Sequence, residues 1–282
     1  DLKDVHRQLF GTASARAVVD LPTRMDAVVA RLPGQRFTCE QLILQHTLYP
    51  YYAPFMPKER AERLKDLMCG NGGQGTHTSA GIIASVVQRP SRLRYCPACV
   101  LEDREVYGEE YWHRVHQLPG VEVCPKHGVF LVVSSVPTSA QRTPHAYRSL
   151  SGETTSTVAT PVNRKSRNDQ LLLQIATDSQ LLLNRYLISP GIEVLHERIK
   201  EFLALKGWLS QGGRYVRASE LYLEFSAFYT RSLLQRLNIR IDEEGRDHWL
   251  YRLIRNPRRS QHPLQYILFC LFLGVSIEDL FS

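Results

Sequence analysis

Two short cysteine-containing turns near the middle of the chain carry the side chains best suited to binding a metal. The first is Cys96-Pro97-Ala98-Cys99 and the second is Cys124-Pro125-Lys126-His127-Gly128. Two intervening residues let a single tight turn present both of its ligands, and zinc prefers thiolate and imidazole ligands at the corners of a tetrahedron. The sequence therefore predicts one zinc site, whose ligands are Cys96, Cys99, Cys124 and His127.

The predicted zinc is structural rather than catalytic. A catalytic zinc keeps one coordination position for water and has a carboxylate base nearby, whereas four protein ligands close the coordination sphere. Glu122 lies near the second turn, but the sequence contains no H-x-E or H-E-x-x-H arrangement. Zinc bound by such a segment stabilises its fold by on the order of 10 kcal/mol. We therefore expect one structural Zn²⁺ as the cofactor.

Two further histidines, His113 and His116, lie between the two turns and are left open as alternative ligands. Residues 111–118 alternate in character along the chain, which predicts a short strand. In such a strand Trp112 would pack inward while His113 takes the opposite face. The alternation therefore favours a packing role for the two histidines.

The elements that must position these ligands are mostly helical. The sequence divides into an N-terminal helical domain at 1–90, a zinc region at 91–133, a linker or long loop at 134–168, and a C-terminal helical domain at 169–282. The linker assignment depends on a shift towards Ser, Thr and Pro with little hydrophobic periodicity. The expected fold class is mainly α, with helix-turn-helix modules joined by a small zinc-knuckle region that contains short β-strands.

The N-terminal domain has the outline of a helix-turn-helix. Thr23 is predicted to cap a helix over 24–32, and Pro33-Gly34 ends that helix. Thr38 and Gln41 then form a capping-box pattern at the start of the next helix.

Capping residues and apolar periodicity predict further helices along the chain. They span 57–68, 169–183, 192–205, 219–229, 230–238, 249–255 and 263–273. Asp169 and Thr230 are the predicted N-caps of two of them. The helices at 219–229 and 230–238 form a second helix-turn-helix. Ser276 starts another helix, so the domain is expected to continue beyond the last residue, and the absence of an initial Met indicates further chain ahead of the first.

The second helix of the C-terminal helix-turn-helix carries the side chains best suited to reading DNA bases. In such motifs the N-terminal part of the second helix enters the major groove. The base-reading candidates are Arg231, Gln235 and Arg236. The residues expected to face the core are Leu233, Leu234 and Leu237. A helical hairpin used only for packing is the alternative.

Clusters of arginine are candidates for contacts with the DNA backbone, which position a protein without reading sequence. The strongest cluster lies beside Trp249 and Tyr251 and has no acidic neighbour after Asp247. It consists of Arg252, Arg255, Arg258 and Arg259. Two weaker clusters consist of Arg89, Arg92 and Arg94 and of Arg164, Lys165 and Arg167. For each cluster, a solvated surface without a ligand is the alternative.

The composition is typical of a folded protein with a polyanionic partner. Apolar residues make up 43% of the 282 residues, enough to bury a core in two or more domains. The chain has 35 Lys and Arg against 28 Asp and Glu, and the net charge of +7 suits nucleic acid. Six cysteines are too few for a disulfide framework, so Cys39, Cys69 and Cys270 are interpreted as solitary buried thiols in a reducing compartment.

The sequence indicates a cytoplasmic protein without a membrane partner. Residues 1–4 lack the apolar segment of a signal peptide. The longest apolar run, at 264–275, is too short to span a bilayer.

The acidic residues offer little support for an enzyme. Transposase or nuclease chemistry needs carboxylates that hold two metal ions. The acidic runs Glu109-Glu110, Asp242-Glu243-Glu244 and Glu278-Asp279 fall mostly in predicted turns or helix starts. We therefore predict a binding protein and not an enzyme.

Several short motifs occur together in and before the zinc region. They are Arg94-Tyr95-Cys96-Pro97-Ala98-Cys99, Tyr107-Gly108-Glu109, Tyr111-Trp112, Leu118-Pro119-Gly120 and Cys124-Pro125-Lys126-His127-Gly128, preceded by Gln45-His46-Thr47-Leu48-Tyr49-Pro50 and Tyr52-Ala53-Pro54-Phe55. Together they resemble the TniQ family of transposition target-selection proteins, and the preceding pair resembles its TnsD-like branch. The resemblance is strongest over 20–135.

This resemblance implies a selector of transposition target sites. Such proteins bind double-stranded target DNA or a CRISPR effector complex, and they recruit a AAA+ ATPase, TnsC, that passes the site to the transposase. The TnsD-like motifs favour direct recognition of DNA at the bacterial nucleoid. A TniQ adaptor that bridges an RNA-guided CRISPR effector to TnsC, mainly through protein contacts, is the alternative. Zinc ligation carries over to Cys96, Cys99, Cys124 and His127.

Two departures from the family pattern bear on these expectations. Many relatives carry a second pair of cysteine turns soon after the first site, but 134–168 contains none. The family's N-terminal helix, which forms part of the surface that meets TnsC, is expected to lie ahead of Asp1 and to be missing. Recruitment of TnsC by this chain is therefore expected to be incomplete.

Overall fold

The computed structural model describes residues 2–13, 15, 18–70, 76, 87–138, 148–153, 158–210, 212, 215–239, 249–255 and 261–282. These residues form a mainly helical structure with one two-stranded sheet, which confirms the predicted fold class. The helices are α1 (Leu2–Phe10), α2 (Met25–Val29), α3 (Cys39–His46), α4 (Tyr49–Tyr52), α5 (Lys58–Cys69), α6 (Pro97–Tyr107), α7 (Arg167–Arg185), α8 (Ile192–Leu205), α9 (Ala218–Phe228), α10 (Arg231–Arg236), α11 (Trp249–Arg255) and α12 (Pro263–Leu273). The strands are β1 (Arg92–Tyr95) and β2 (Val132–Pro137), and α1 is a helix that was not predicted.

The N-terminal helix-turn-helix is formed by α2 and α3. As predicted, Thr38 starts α3 with a capping box, in which its hydroxyl accepts from the Gln41 N–H at 3.1 Å and the Gln41 side chain accepts from the Thr38 N–H at 2.8 Å. The predicted cap at Thr23 is wrong, because Arg24 precedes a shorter α2 in a left-handed conformation and no side chain caps the helix. The Arg24 N–H donates to the Gly70 carbonyl at 3.1 Å, so a tertiary contact just after α5 fixes the start of α2.

A disulfide between Cys39 and Cys69 joins the start of α3 to the end of α5. The two residues are 30 positions apart in sequence, and their Cα atoms lie 5.9 Å from each other. An ion pair of 2.9 Å between Lys65 and Glu40 links the same two helices. The interpretation of Cys39 and Cys69 as solitary thiols is therefore wrong, because the packing of α3 against α5 brings them together.

The strands β1 and β2 lie at the two ends of the zinc region and pair with each other in an antiparallel sheet. The first residues of the predicted 134–168 linker belong to β2, and further along Pro161 forms a bridge with Val129. This start of the stretch is therefore a strand and not a loop. The strand was not predicted because its buried face consists of Ser134 and Val136, and a buried serine interrupts the apolar alternation that indicates a strand.

Residues 111–118, which were predicted to form a strand, instead contain a 3-10 helix at Arg114–Gln117. The side chain of Gln117 forms the hydrogen bonds to β1 that the backbone of a neighbouring strand would form. Its Oε1 accepts from the Arg94 N–H at 3.0 Å, and its Nε2 donates to the Arg94 carbonyl at 2.8 Å. Side-chain hydrogen bonds thus replace the expected backbone pairing.

Arg114 connects the zinc region to both helical domains. Its guanidinium donates to the carbonyl oxygens of Leu44 at 2.7 Å and Thr47 at 2.9 Å, at the end of α3. It also donates to the Leu183 carbonyl at 3.0 Å, in the last turn of α7. Because carbonyl groups at helix C-termini lack partners within their own helix, one cation satisfies the ends of two helices.

Most C-terminal helices lie where the sequence predicts them. The boundaries of α8, α11 and α12 are as predicted, α9 is displaced by one residue, and α10 is shorter than expected. The N-cap of α7 is Ser166, whose hydroxyl accepts from the Asp169 N–H at 3.3 Å. The predicted cap at Asp169 is therefore wrong, and its carboxylate lies in the first turn of the helix instead, where the helix dipole favours it. No helix among those described has the length and apolar character that crossing a membrane requires.

One apolar core extends through the N-terminal domain, the zinc region and the C-terminal domain. The helix α12 is buried along most of its length and contacts the zinc region at Gly120. Gly120 has a φ of +77°, and a Cβ built at this position would lie 2.8 Å from both terminal methyl carbons of Leu264. Both the backbone conformation and the close approach of α12 therefore require glycine.

Candidate metal centre and nucleic-acid interface

The first pair of predicted ligands is positioned by the junction between β1 and α6. Cys96 is the N-cap of α6, and its Sγ accepts from the Cys99 N–H at 3.4 Å. Pro97 occupies the first position of the helix, where its missing N–H costs no hydrogen bond. Helix capping thus orients both sulfur atoms, which are buried.

The second pair of ligands lies in the turn of a tight hairpin. Val123 and Phe130 form a β-bridge across it. The Cys124 N–H donates to the Val129 carbonyl at 2.8 Å, and the Gly128 N–H donates to the Cys124 carbonyl at 2.8 Å. Gly128 has a φ of +62°, a conformation that glycine adopts at little cost, so the turn closes directly after the last ligand.

The four predicted ligands converge with distances that match a tetrahedral zinc site. Zinc bonds of about 2.3 Å to sulfur and about 2.0–2.1 Å to nitrogen place ligand atoms about 3.6–3.8 Å apart at tetrahedral angles. In the structure, His127 Nδ1 lies 3.3 Å from Cys99 Sγ and 3.6 Å from the Sγ atoms of Cys96 and Cys124. Cys99 Sγ and Cys124 Sγ are 3.7 Å apart, and all four atoms lie within 4.8 Å of one another. The set could therefore hold one metal ion.

The electrostatics of the cluster favour a bound cation. The hydrogen bond with Cys124 raises the pKa of the Cys96 thiol to about 11, and the same neighbour raises the pKa of Cys99. Hydrogen bonds from the other two thiols lower the pKa of Cys124. Three sulfur atoms this close cannot all become thiolates without a compensating positive charge, which a divalent metal supplies.

The sequence did not predict that Glu102 supports the metal centre. His127 directs Nδ1 towards the sulfur atoms, and its Nε2 lies 3.2 Å from the carboxylate of Glu102. Lys126 Nζ binds the same carboxylate at 2.5 Å. A carboxylate on the second nitrogen fixes the tautomer and orientation of a ligating imidazole. Glu102 lies on the helix that Cys96 begins, so α6 supports both halves of the cluster.

His113 and His116, the two alternative ligands, have other contacts in the structure. His113 Nε2 lies 2.8 Å from the Asp103 carboxylate on α6, and His116 is buried beside it with ring centroids 5.0 Å apart. Burial lowers the pKa of His116, which favours the neutral ring. Within the described part of the chain, neither histidine belongs to the group of four ligand atoms.

The C-terminal helix-turn-helix has the buried and exposed faces that the sequence predicts. Thr230 caps α10, since its hydroxyl accepts from the Leu233 N–H at 3.2 Å. The predicted inward-facing leucines are all buried; these are Leu233, Leu234 and Leu237. The base-reading candidates are all exposed; these are Arg231, Gln235 and Arg236. Their contact with DNA remains a prediction.

The zinc region supports α10 directly, which the sequence did not reveal. The Arg236 guanidinium forms an ion pair with Glu122 and stacks over Phe130, 5.1 Å from the ring centroid. Both partners flank the hairpin that carries Cys124. Glu122 and Arg236 are 114 positions apart in sequence, so local patterns could not indicate this contact.

The strongest arginine cluster is described only in part. Arg252 is half-buried, and Arg255 is exposed with its guanidinium 5.2 Å from the Tyr251 ring centroid. Arg258 and Arg259 lie outside the described residues. Contacts of these four arginines with phosphates therefore remain a prediction.

Fold and site together define a mainly helical protein built around a Cys3His cluster. Comparison with known families places a TniQ model on residues 2–131 and a model described as Tn7-like transposition protein D on residues 175–282. The chain is also 27% identical over 268 residues to the transposon Tn7 transposition protein TnsD of Escherichia coli. This similarity covers 94% of the chain and 51% of the relative, so the chain spans about half of the relative's length. The two family models and this relative together support a TniQ/TnsD-like protein, as the motifs predict.

Proposed function

We propose that this protein selects target sites for transposition by binding DNA through α9 and α10 and by recruiting a AAA+ regulator, TnsC. The observation that carries the proposal is the exposed polar face of α10. Its Arg231, Gln235 and Arg236 lie within the segment that matches the Tn7-like transposition protein D model. Side chains of these types bind base edges in the major groove, and the buried leucines behind them hold the helix in place.

In this function the protein supplies binding, and the transposase and its regulator supply chemistry. Cys96, Cys99, Cys124 and His127 would hold one structural Zn²⁺, whose charge compensates the thiolates and stabilises the hairpin next to α10. Arg252, Arg255, Arg258 and Arg259 would contact phosphates and position the duplex. A protein that selects sites on chromosomal DNA would work at the nucleoid, in the bacterial cytoplasm.

The match at 175–282 supports direct recognition of DNA over the adaptor alternative. An adaptor between a CRISPR effector and TnsC needs protein-binding surfaces, whereas α10 presents two arginines and a glutamine on its exposed face. This combination is typical of base and phosphate contacts.

A footprint on chromosomal DNA that flanks the transposon tests the proposal. The purified protein is expected to protect one segment of that DNA, and TnsC with ATP is expected to extend the protected region. The matched control is a duplex of equal length and base composition in scrambled order. Equal affinity for the flanking and scrambled duplexes would contradict selection by sequence, and an unchanged footprint with TnsC and ATP would contradict recruitment.

Metal analysis of the same preparation tests the zinc assignment. We expect one Zn²⁺ per chain, and we expect Cys99→Ser to lower that content while Cys270→Ala, at a buried cysteine outside the cluster, leaves it unchanged. A preparation that is folded and binds DNA with no stoichiometric metal would show that the cluster is not a zinc site.

A further inference from the structure

An arginine-rich cleft lies between the zinc region and the end of α10. Its walls come from residues 88–94, from the turn at 119–122, from β2, and from 236–238. The charged and polar side chains that line it include Arg89, Arg92, Arg94, Glu122, Arg236 and Asn238. The cluster Arg89, Arg92 and Arg94 and the base-reading candidate Arg236 are separate in the sequence. In the structure they share one surface.

The positive charges of this cleft exceed the negative charges that pair with them. Arg89 forms an ion pair of 2.5 Å with Asp20, and Arg236 forms one with Glu122. Arg92 forms no ion pair with a carboxylate among the described residues. Its guanidinium donates instead to the backbone carbonyl of Ser135.

Arg94 is a further guanidinium that lines the cleft, and the carboxylate of Glu122 acts on its charge. Its guanidinium donates to the Leu118 carbonyl at 2.7 Å, and its Nε is buried without a hydrogen-bond acceptor among the described residues. A buried N–H of a guanidinium that lacks an acceptor is costly. Counting the two carboxylates that pair with Arg89 and Arg236, the cleft still has two guanidinium groups in excess, and this positive charge attracts an anion.

We propose that this cleft binds a backbone phosphate of the DNA that α10 reads. This inference rests on the proposed function. Arg236 belongs both to the cleft and to the exposed face of α10, so a DNA strand that passes α10 also passes the mouth of the cleft. Guanidinium groups bind phosphate through paired N–H donors, and such contacts set the register of a protein on the duplex.

The metal centre holds this cleft in shape. β1 carries Arg92 and Arg94 and runs directly into Cys96, and Glu122 lies just before Cys124. The same zinc cluster thus holds the arginine-bearing strand next to the hairpin that meets Arg236. The zinc region would contribute part of the DNA interface in addition to its role in the fold.

The ion pair between Glu122 and Arg236 offers a second test of the cleft. Its carboxylate holds Arg236 by an ion pair, so an incoming phosphate must compete with it. Glu122→Gln removes the negative charge but keeps the size of the side chain. We expect this variant to bind duplex DNA about three- to tenfold more tightly at low salt, because Arg236 is released and a repulsive charge is lost.

The decisive variant is Arg92→Ala, with Arg198→Ala as its matched control. Arg92 is exposed and donates only to a backbone carbonyl, whereas Arg198 is an arginine of α8 that pairs with Glu201. Arg92→Ala is expected to weaken binding about tenfold at low salt on flanking and scrambled duplexes alike. It should also flatten the salt dependence by about one unit, as the loss of one phosphate contact requires. Arg198→Ala should change neither quantity.

Duplexes with a single neutral methylphosphonate separate a direct contact from an indirect one. Wild-type protein should bind more weakly when the neutral group replaces one particular phosphate next to the protected segment. Arg92→Ala should bind that duplex no more weakly than it binds the unmodified one. Equal losses for both proteins at every phosphate, or no difference between Arg92→Ala and Arg198→Ala, would overturn the cleft assignment while the proposed function stands. If inorganic phosphate binds the cleft while duplex affinity is unaffected by Arg92→Ala, the ligand is a free phosphate and the DNA assignment fails. Absence of any duplex binding by the wild type would remove both proposals.

Discussion

The two helix-turn-helix modules share a local design but differ in what their second helix presents to solvent. The exposed residues of α3 include Glu40, Gln41 and Gln45, and Glu40 is paired with Lys65 of α5. The exposed residues of α10 are two arginines, a serine and a glutamine, and one of the arginines, Arg236, pairs with Glu122 of the zinc region. The charge of the outward face, and not the motif alone, is therefore what assigns the proposed DNA contact to the C-terminal module.

The two modules also differ in how they are attached. The N-terminal module is held at both ends of α3, by the Cys39–Cys69 disulfide and by hydrogen bonds from Arg114. The C-terminal module rests on the hairpin of the metal centre through Arg236 and on its own buried leucines. The comparison predicts that the N-terminal module tolerates loss of the metal better than α10 does.

Removal of the metal should have the largest effect and should separate the two modules. Chelation or Cys99→Ser is expected to lower stability by several kcal/mol, because structural zinc contributes on the order of 10 kcal/mol to such regions. Amide hydrogen exchange should show protection lost first in α6 and α10, whereas α3 and α5 stay protected. Simultaneous loss of protection in all four helices would show that the modules are not attached differently.

Arg114→Ala should release the N-terminal module and leave the metal centre intact. The substitution removes donors from carbonyls of α3 and α7, and unmet buried hydrogen bonds to a charged group cost about 3 kcal/mol in total. Chemical denaturation measures this loss, and zinc content should remain unchanged. A decrease below about 1 kcal/mol would mean that water replaces the guanidinium at both helix ends.

Gly120→Ala tests the contact between the zinc region and α12, with Gly108→Ala as its control. Both glycines have positive φ, but a Cβ at Gly108 meets no atom within 4 Å, whereas one at Gly120 meets Leu264 at 2.8 Å. Backbone strain alone should cost about 1–2 kcal/mol at Gly108. Gly120→Ala should cost about 1–3 kcal/mol more from overpacking. Equal losses in thermal or chemical unfolding would show that Leu264 moves aside freely.

Gln235→Ala on α10 and Gln45→Ala on α3 compare the two second helices directly. We expect Gln235→Ala to weaken binding to the flanking DNA by about 1–3 kcal/mol and to scrambled DNA by little, because a base contact carries sequence information. Gln45→Ala should leave both affinities unchanged. The reverse pattern, measured by titration with fluorescent duplexes, would assign base reading to the N-terminal module.

Local signals predicted the elements and the metal ligands because each depends on residues that are close in sequence. The Thr38 capping box, the Thr230 cap and the spacing of Cys96 and Cys99 are of this kind, and the structure has each where it was expected. A cap is a competition between neighbouring groups, so it can fail when tertiary contacts intervene. Arg24 shows this, since its N–H is taken by Gly70.

Contacts between distant segments could not be predicted from a single sequence. The Cys39–Cys69 pair, the Glu122–Arg236 ion pair and the hydrogen bonds of Arg114 all join residues far apart in the chain. The sequence around each of these residues predicts only a surface or a core position, and does not indicate its distant partner. The cleft that the cluster Arg89, Arg92 and Arg94 shares with Arg236 belongs to the same class, because only the fold brings these residues together.

The contact of Gly120 with Leu264 has a consequence for synthesis of the protein. Residues 96–127 leave the ribosome before α12, so Gly120 and the surrounding apolar residues stay uncovered until residues 263–273 have been made. A chain that ended before residue 263 would leave these apolar residues exposed, and exposed apolar surface promotes aggregation.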